Sequence, residues 1–219
     1  DGVLWIKPSG VSMATLSAED LVPLDLQFLK DALDAPDPDP SHGDPVNYLA
    51  RQARRDDGPR RPSVEILFHA LIDDTYVLHT HPLLINAVTC NADGVALTED
   101  LFGDDVLWVP YVDPGLPLAR QIAARRSAYT ERTGNPAPKI TFLMNHGLIV
   151  SGDDPAQLRE DSHRVLRTIQ RAVDAAQGGL PALAESFREA VGAEHSAYDD
   201  GPVATDFPAT EAGARFLTE

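Results

Sequence analysis

A pair of histidines, His79 and His81, constrains this chain more than any other feature, because it closes an apolar run that begins at Tyr76. Side chains two residues apart on a β-strand project from the same face, so the pattern predicts two imidazoles side by side at a strand end. This arrangement is typical of two metal ligands, although two histidines satisfied by hydrogen bonds at a polar strand end fit it equally well. A third candidate ligand is needed to favour a metal site over two hydrogen-bonded histidines.

The candidate for a third ligand is His146, which lies in a predicted turn with Asn145 and Gly147 between two apolar strands. Three imidazoles suit a zinc ion, and three protein ligands leave a coordination position open for water or substrate. The only cysteine is Cys90, which excludes an intramolecular disulfide, disfavours thiolate ligation and indicates a reducing compartment. The pattern therefore favours a catalytic over a structural metal site.

The overall charge restricts the classes of partner. The chain has 219 residues and a formal net charge of -16, so we expect one compact domain whose acidic surface disfavours nucleic acid and anionic membranes as partners. We find no apolar run long enough to span a bilayer and no signal-type segment, which predicts a cytoplasmic protein.

Hydrophobic periodicity predicts an α/β fold. Residues 27–34 fit either a strand edge or a helix, and residues 35–45 are rich in proline and aspartate and predict a loop. The predicted strands cover residues 3–7, 21–26, 75–81, 106–111, 139–144 and 148–151. The predicted helices begin at residues 62, 82, 94, 115 and 153, and two weaker ones lie near 181–191 and 209–217. Because the first strand starts almost at residue 1, we expect that the chain lacks its own N-terminal segment.

Glu65 is predicted in the first turn of the helix that opens at Pro62, where Val64, Leu67 and Phe68 form part of an apolar stripe. An acidic residue there has a favourable interaction with the helix dipole, or it is a functional acid near the histidines. Nearby arginines form a local basic cluster, which is either a solvated surface or a contact with a subunit or an anionic substrate. The cluster comprises Arg51, Arg54, Arg55, Arg60 and Arg61.

Four segments together resemble the class II aldolase/adducin family, whose enzymes include fuculose- and rhamnulose-1-phosphate aldolases and ribulose-5-phosphate 4-epimerase. They are Pro62-Ser63-Val64-Glu65, His79-Thr80-His81-Pro82, Val109-Pro110-Tyr111 with Pro114-Gly115, and Asn145-His146-Gly147-Leu148-Ile149-Val150. The resemblance covers about residues 3–175, and the order of the segments makes it specific. It implies a three-layer α/β/α fold around a mostly antiparallel sheet and a homotetramer with active sites at subunit contacts.

Carried over by position, the resemblance assigns His79, His81 and His146 as zinc ligands and Glu65 as the catalytic acid/base. It assigns Ser9, Gly10 and Ser63 to substrate binding, because they match segments that line the substrate phosphate in the sugar-phosphate aldolases. Lys7 is a further candidate. Residues 1–219 are expected to form a single domain, in which residues 176–219 are a helical C-terminal extension.

The chain departs from the family pattern at two places. The Gly- and Asn-containing phosphate loop that normally precedes the first strand has no counterpart here, and Val64 stands where the phosphate aldolases often have a second serine. No catalytic tyrosine matches, and we interpret Tyr111, in a family-typical Pro-Tyr segment, as a packing residue.

The predicted function is a zinc-dependent lyase that cleaves a small ketose, such as a ketose 1-phosphate, through a metal-stabilised ene-diolate. Epimerisation, decarboxylation or dehydration by the same metal and base are alternatives within the family. A non-catalytic, adducin-like scaffold domain and one piece of a larger polypeptide are the other hypotheses.

Overall fold

A computed structural model of the chain describes residues 2–177. Within them, the strands are β1 (Val3–Ile6), β2 (Val22–Asp25), β3 (Tyr76–Thr80), β4 (Val106–Val109), β5 (Ile140–Leu143) and β6 (Gly147–Gly152). The α-helices are α1 (Leu26–Asp34), α2 (Pro45–Ala53), α3 (Ile66–Leu71), α4 (Leu83–Thr89), α5 (Gly94–Phe102), α6 (Leu116–Thr133) and α7 (Pro155–Gln177). The ambiguous segment 27–34 is therefore helical.

The central sheet has four strands in the order β3-β6-β5-β4. β3 and β5 both pair antiparallel with β6, whereas β4 and β5 are parallel. The parallel pair is connected through α6, as expected for strands that need a crossover. β1 and β2 form a separate antiparallel pair.

Helices cover both faces of the central sheet, because successive strand residues point to opposite sides. On β6, Ile149 packs in one buried cluster, while Leu148 and Val150 pack in another. The first cluster includes residues of α1, α2, α3 and α6, and the second includes residues of α4, α5 and α7. This arrangement confirms the expected three-layer α/β/α class with a mostly antiparallel central sheet.

The start of α3 corrects a prediction. The helix begins at Ile66 and not at Pro62, and Val64 is 42% exposed instead of lying on the buried stripe. Pro62 forms an antiparallel bridge with Pro8, which holds the backbone extended before the helix. The Ser63 hydroxyl then accepts a hydrogen bond from the Glu65 backbone N–H at 3.2 Å, so the helix begins after Glu65.

The expected helical C-terminal extension at residues 176–219, including helices near 181–191 and 209–217, lies outside the described residues apart from the last two residues of α7. None of the described helices has the length and apolar character to cross a bilayer.

Candidate metal centre and active site

Three histidines and one glutamate converge at one place in the fold. Ligand atoms of Glu65, His79, His81 and His146 all lie within 4.8 Å of one another. They come from three distant parts of the sequence: the N-terminus of α3, the end of β3 and the turn between β5 and β6. The structure thus brings together the four residues that the sequence singled out for metal binding and acid/base chemistry.

His79 is held by its surroundings in one orientation. Its Nδ1 lies 2.9 Å from the backbone oxygen of Leu148, and its ring packs edge-on against Phe68 with centroids 5.1 Å apart. A carbonyl oxygen only accepts hydrogen bonds, so Nδ1 carries a proton, and in the neutral ring Nε2 presents its lone pair to the cluster. The side chain is only 5% exposed, which fixes this ring geometry further.

His81 completes the pair at the end of β3, and its Nε2 lies 2.8 Å from Nε2 of His79. Burial, followed by the nearby imidazoles of His79 and His146, lowers the pKa of His81 below its ordinary value. A histidine with a lowered pKa is neutral near pH 7, which is the form that binds a metal ion.

His146 lies in a tightly anchored turn. Met144 N–H donates to Val109 O at 2.9 Å, Asn145 N–H donates to Thr89 O at 2.9 Å, and His146 N–H donates to Leu143 O at 3.1 Å. Asn145 has a φ of 54°, in the left-handed region that asparagine tolerates better than most residues. These contacts tie the turn to β4 and α4, and they hold the His146 ring in place.

Gly147, which opens β6, is required by close packing. A Cβ atom there would lie 2.5 Å from Cδ2 of His81 and 2.6 Å from the backbone oxygen of Thr80. The turn predicted at residues 145–147 is therefore present, and its glycine makes room for a candidate ligand. The strand beside β3 is β6, which follows His146, and not β5, which precedes it.

Glu65 closes the cluster from the helical layer. Its Oε1 lies 3.1 Å from Nε2 of His146 and 3.2 Å from Nε2 of His79. Burial raises the pKa of the Glu65 carboxyl, but in the metal-free chain N–H groups of His146 and His79 that donate to Oε1 outweigh burial and hold this pKa well below its usual range. Glu65 is therefore a carboxylate near neutral pH, as a base must be.

The donor set fits a divalent metal ion. Lone pairs of neutral imidazoles and a carboxylate that point at one small volume repel one another, and a bound cation removes that repulsion. The Leu148 backbone oxygen accepts the hydrogen bond from Nδ1 of His79, and such a partner is typical of metal-ligating histidines, whose rings it orients. Three nitrogen donors with one nearby carboxylate suit zinc among the common ions, and calcium or magnesium would require more oxygen ligands.

Of the predicted substrate-binding residues, Ser63 lies on the segment that leads to Glu65, and Ser9 and Gly10 lie on a turn beside that segment. Ser9 N–H donates to Arg61 O at 2.8 Å, and Ser63 N–H donates to Lys7 O at 3.2 Å. Gly10 has a φ of +82°, in the left-handed region that favours glycine. Ser9 and Gly10 are therefore held next to the strand segment that contains Ser63.

Lys7 and Tyr111 are the two other residues that the sequence analysis considered for the site. Lys7 Nζ donates to the backbone oxygens of Pro8 and Val11, at 3.1 and 2.7 Å. Tyr111 is 52% exposed and its hydroxyl lies 3.4 Å from Asp113, so the interpretation of Tyr111 as a packing residue is wrong. Its ring remains at the surface because the polypeptide leaves β4 at Val109.

Sequence reasoning missed two contributors to this region. The Leu148 carbonyl orients His79 through strand register, for which a sequence carries no local signal. The Arg61 side chain lies beside Ser9, and the sequence identified it only as a member of a basic cluster. The available sequence signal for Arg61 was its position directly before Pro62 and Ser63.

Comparisons with known proteins identify relatives of this chain. The model of a family described as class II aldolase and adducin N-terminal domain matches residues 1–173. The uncharacterized oxidoreductase YuxG of Bacillus subtilis (strain 168) is 33% identical over 151 residues, which are 69% of this chain and 21% of that protein. The chain thus spans about a fifth of the length of this curated relative.

Two solved structures share the fold. The N-terminal class II aldolase domain of a conserved protein from Thermoplasma acidophilum has a TM-score of 0.65 and 19% identity, covering 78% of this chain and 75% of that one. An aldolase II superfamily protein from Pseudomonas syringae has a TM-score of 0.55 and 19% identity, covering 100% of this chain and 76% of that one. At this identity, the likeness concerns the fold alone.

Proposed function

This chain belongs to the class II aldolase and adducin N-terminal domain family, and on that premise we propose that it is a zinc-dependent lyase that cleaves a small ketose, in particular a ketose 1-phosphate, by a retro-aldol reaction. One observation carries the proposal: the Glu65 carboxylate lies within 3.2 Å of two of three histidines that converge through Nε2. This places a candidate proton carrier at the edge of a candidate metal centre.

In this proposal, His79, His81 and His146 hold the ion through their Nε2 atoms, with the tautomer of His79 set by the Leu148 carbonyl. A zinc ion bound by neutral imidazoles supplies a Lewis acid for the carbonyl and neighbouring hydroxyl of the substrate. Three protein ligands leave one coordination position open for the substrate. The three histidines would orient the substrate by determining on which side of the cluster that position lies.

Glu65 moves the proton. In cleavage, the bond between C3 and C4 of the ketose breaks, its electron pair passes toward the C2 carbonyl, and the C4 hydroxyl loses its proton as it becomes an aldehyde. The Glu65 carboxylate takes up the proton that the C4 hydroxyl loses and delivers it to C3, and in the reverse direction it removes a proton from C3 and returns it to the C4 oxygen. The proton lost from the hydroxyl and the proton gained at C3 balance, so no further reactant is consumed.

Ser9, Gly10 and Ser63 bind the phosphate in this proposal. Ser9 and Gly10 lie on an exposed turn beside the extended residues 61–63, and Ser63 lies two residues before Glu65. A small substrate held at this end is directed toward the carboxylate, which is how remote binding contributes to catalysis.

The test replaces one oxygen of the proposed proton carrier. We expect Glu65→Gln in the zinc-loaded chain to lower kcat for ketose 1-phosphate cleavage about 10²- to 10⁴-fold, the usual contribution of a general acid/base. Zinc content should stay near one ion per chain. Glu99→Gln on the exposed surface of α5 is the matched control and should retain wild-type activity. Full activity in Glu65→Gln would eliminate Glu65 as the proton carrier.

The products separate the alternatives. An aldehyde together with a ketone phosphate supports the lyase, whereas an epimer, carbon dioxide or an unsaturated product supports the related epimerase, decarboxylase or dehydratase. A purified chain that holds no metal, and in which His81→Ala changes no measured property, would support a non-catalytic scaffold.

We also propose that the chain assembles as a homotetramer. Light scattering on the purified, zinc-loaded chain should give four times the mass of one chain. A strictly monomeric protein at micromolar concentration would contradict this proposal.

A further inference from the structure

A short antiparallel ribbon joins residues 7–9 to residues 61–63. Pro8 and Pro62 form the central bridge and are both buried. Because neighbouring side chains on extended backbone alternate between faces, the flanking residues present their side chains to the opposite, open face. That face carries two cations and two hydroxyls, from Lys7, Ser9, Arg61 and Ser63.

Most of the basic cluster is neutralised by local carboxylates. Arg54, Arg55 and Arg60 form ion pairs of 2.6, 2.9 and 2.6 Å with Asp56, Asp25 and Asp20, respectively. Within residues 2–177, no carboxylate lies within 4.0 Å of the guanidinium of Arg61 or of Arg51. Arg61 instead donates from Nη2 to Ser9 Oγ at 3.2 Å.

The two cations of the ribbon differ in their remaining hydrogen-bonding capacity. The Lys7 ammonium already donates to two backbone oxygens. A guanidinium has five N–H groups in a planar fork, and one contact to Ser9 leaves most of those of Arg61 unused. Arg61 is also exposed, so the remaining donors are open to a ligand.

The ribbon is coupled to the metal cluster through Ser63. The Ser63 hydroxyl accepts the Glu65 backbone N–H at 3.2 Å, and Oε1 of Glu65 lies 3.1 Å from His146 Nε2. A ligand bound to the open face of the ribbon therefore lies on the segment that positions the proposed proton carrier.

We propose that Arg61 binds the phosphoryl group of the substrate, together with the hydroxyls of Ser9 and Ser63, and thereby sets the preference for phosphorylated ketoses. This inference rests on the proposed function. In a chain with a formal charge of -16, an anionic substrate is repelled unless a local cation holds it, and the guanidinium fork matches two phosphoryl oxygens.

The test compares two ligands that differ by one phosphoryl group. Acetohydroxamate chelates a metal without a phosphoryl group, and phosphoglycolohydroxamate, an ene-diolate mimic, adds one. Calorimetry on the zinc-loaded chain should show that Arg61→Met weakens phosphoglycolohydroxamate binding about 10- to 100-fold, the range for a lost charged hydrogen bond, with acetohydroxamate unchanged. Arg61→Lys should recover part of the loss.

Arg51→Met is the matched control, since Arg51 also lacks a carboxylate partner among the described residues but makes no contact with Ser9. It should bind both hydroxamates as the wild type does. If Arg61→Met weakens both ligands by the same factor or neither of them, Arg61 only supports the turn and the proposal is wrong. A wild-type chain that binds phosphoglycolohydroxamate no more tightly than acetohydroxamate overturns it as well.

Failure of the proposed function has a different signature. A zinc-loaded chain that binds the hydroxamates but cleaves no ketose 1-phosphate is not the proposed lyase. The selectivity of Arg61→Met between the two ligands still decides the role of Arg61 in that case.

Discussion

The chemistry of the candidate site depends on the protonation states of individual side chains. The Leu148 carbonyl sets the tautomer of His79, burial favours neutral His81, and the neighbouring imidazoles keep Glu65 ionised. A metal ion and hydrogen ions compete for the same three nitrogens, so metal affinity should fall as the pH is lowered.

His69 gives a pH prediction for the metal-free chain. Burial, and then the electrostatic effect of the neighbouring His79, lower the pKa of His69 from 6.5 to about 4. Between these values the unfolded chain takes up a proton at His69 that the folded chain does not, so stability must decrease as the pH falls from about 6.5 toward 4. Urea unfolding of the metal-free chain at pH 7 and pH 5 should show a smaller loss of stability for His69→Leu than for wild type.

His163→Leu, on the exposed face of α7, controls for the replacement of a histidine by leucine. An equal pH dependence in wild type and His69→Leu would show that His69 does not contribute to acid sensitivity.

At the scale of elements, the hairpin of β5 and β6 positions His146, and Gly147 lets it approach the end of β3. We expect Gly147→Ala to destabilise the chain by about 1–3 kcal/mol, the usual cost of overpacking, because the new methyl group collides with the His81 ring and the Thr80 carbonyl. Zinc affinity should fall as well, because His81 must move. Urea unfolding and zinc titration measure the two effects.

Gly152→Ala is the matched control at the other end of β6. A Cβ atom at Gly152 meets no atom within 4 Å, so this substitution should leave zinc affinity unchanged. If Gly147→Ala and Gly152→Ala behave alike, close packing at Gly147 does not position His81.

Several elements were predictable because their signals are local. The period-2 and helical patterns located β3, β5, β6, α5 and α6 to within a few residues. The start of α3 was not predictable, because the bridge between Pro8 and Pro62 holds residues 62–64 extended against their local helical signal. Tertiary pairing overrides local propensity there, and it also places Arg61 next to Ser9.

The candidate ligands were predictable for a similar reason. His79 lies in β3 and His81 directly follows the last residue of that strand, so their spacing in extended backbone alone predicts that they share one face. Their convergence with His146 and Glu65 required the family resemblance, since the contact depends on β6 pairing with β3 and on α3 covering the sheet. The role of the Leu148 carbonyl in orienting His79 could not be predicted for the same reason, because it also depends on the pairing of β6 with β3.

For the whole molecule, the candidate metal centre is a product of the complete three-layer fold. Glu65 belongs to the helical layer, His79 and His81 to the sheet, and His146 to a turn anchored by β4 and α4. An unfolded chain does not bring these groups together, so metal binding and folding are thermodynamically linked.

We propose that His79, His81 and His146 bind one zinc ion through nitrogen. X-ray absorption at the zinc edge, on the chain loaded with one equivalent of zinc, tests it most directly. We predict three imidazole nitrogens at about 2.0–2.1 Å, and loss of stoichiometric zinc in His146→Ala. Failure of the wild-type chain to retain zinc, or an unchanged zinc environment in His146→Ala, would contradict the account.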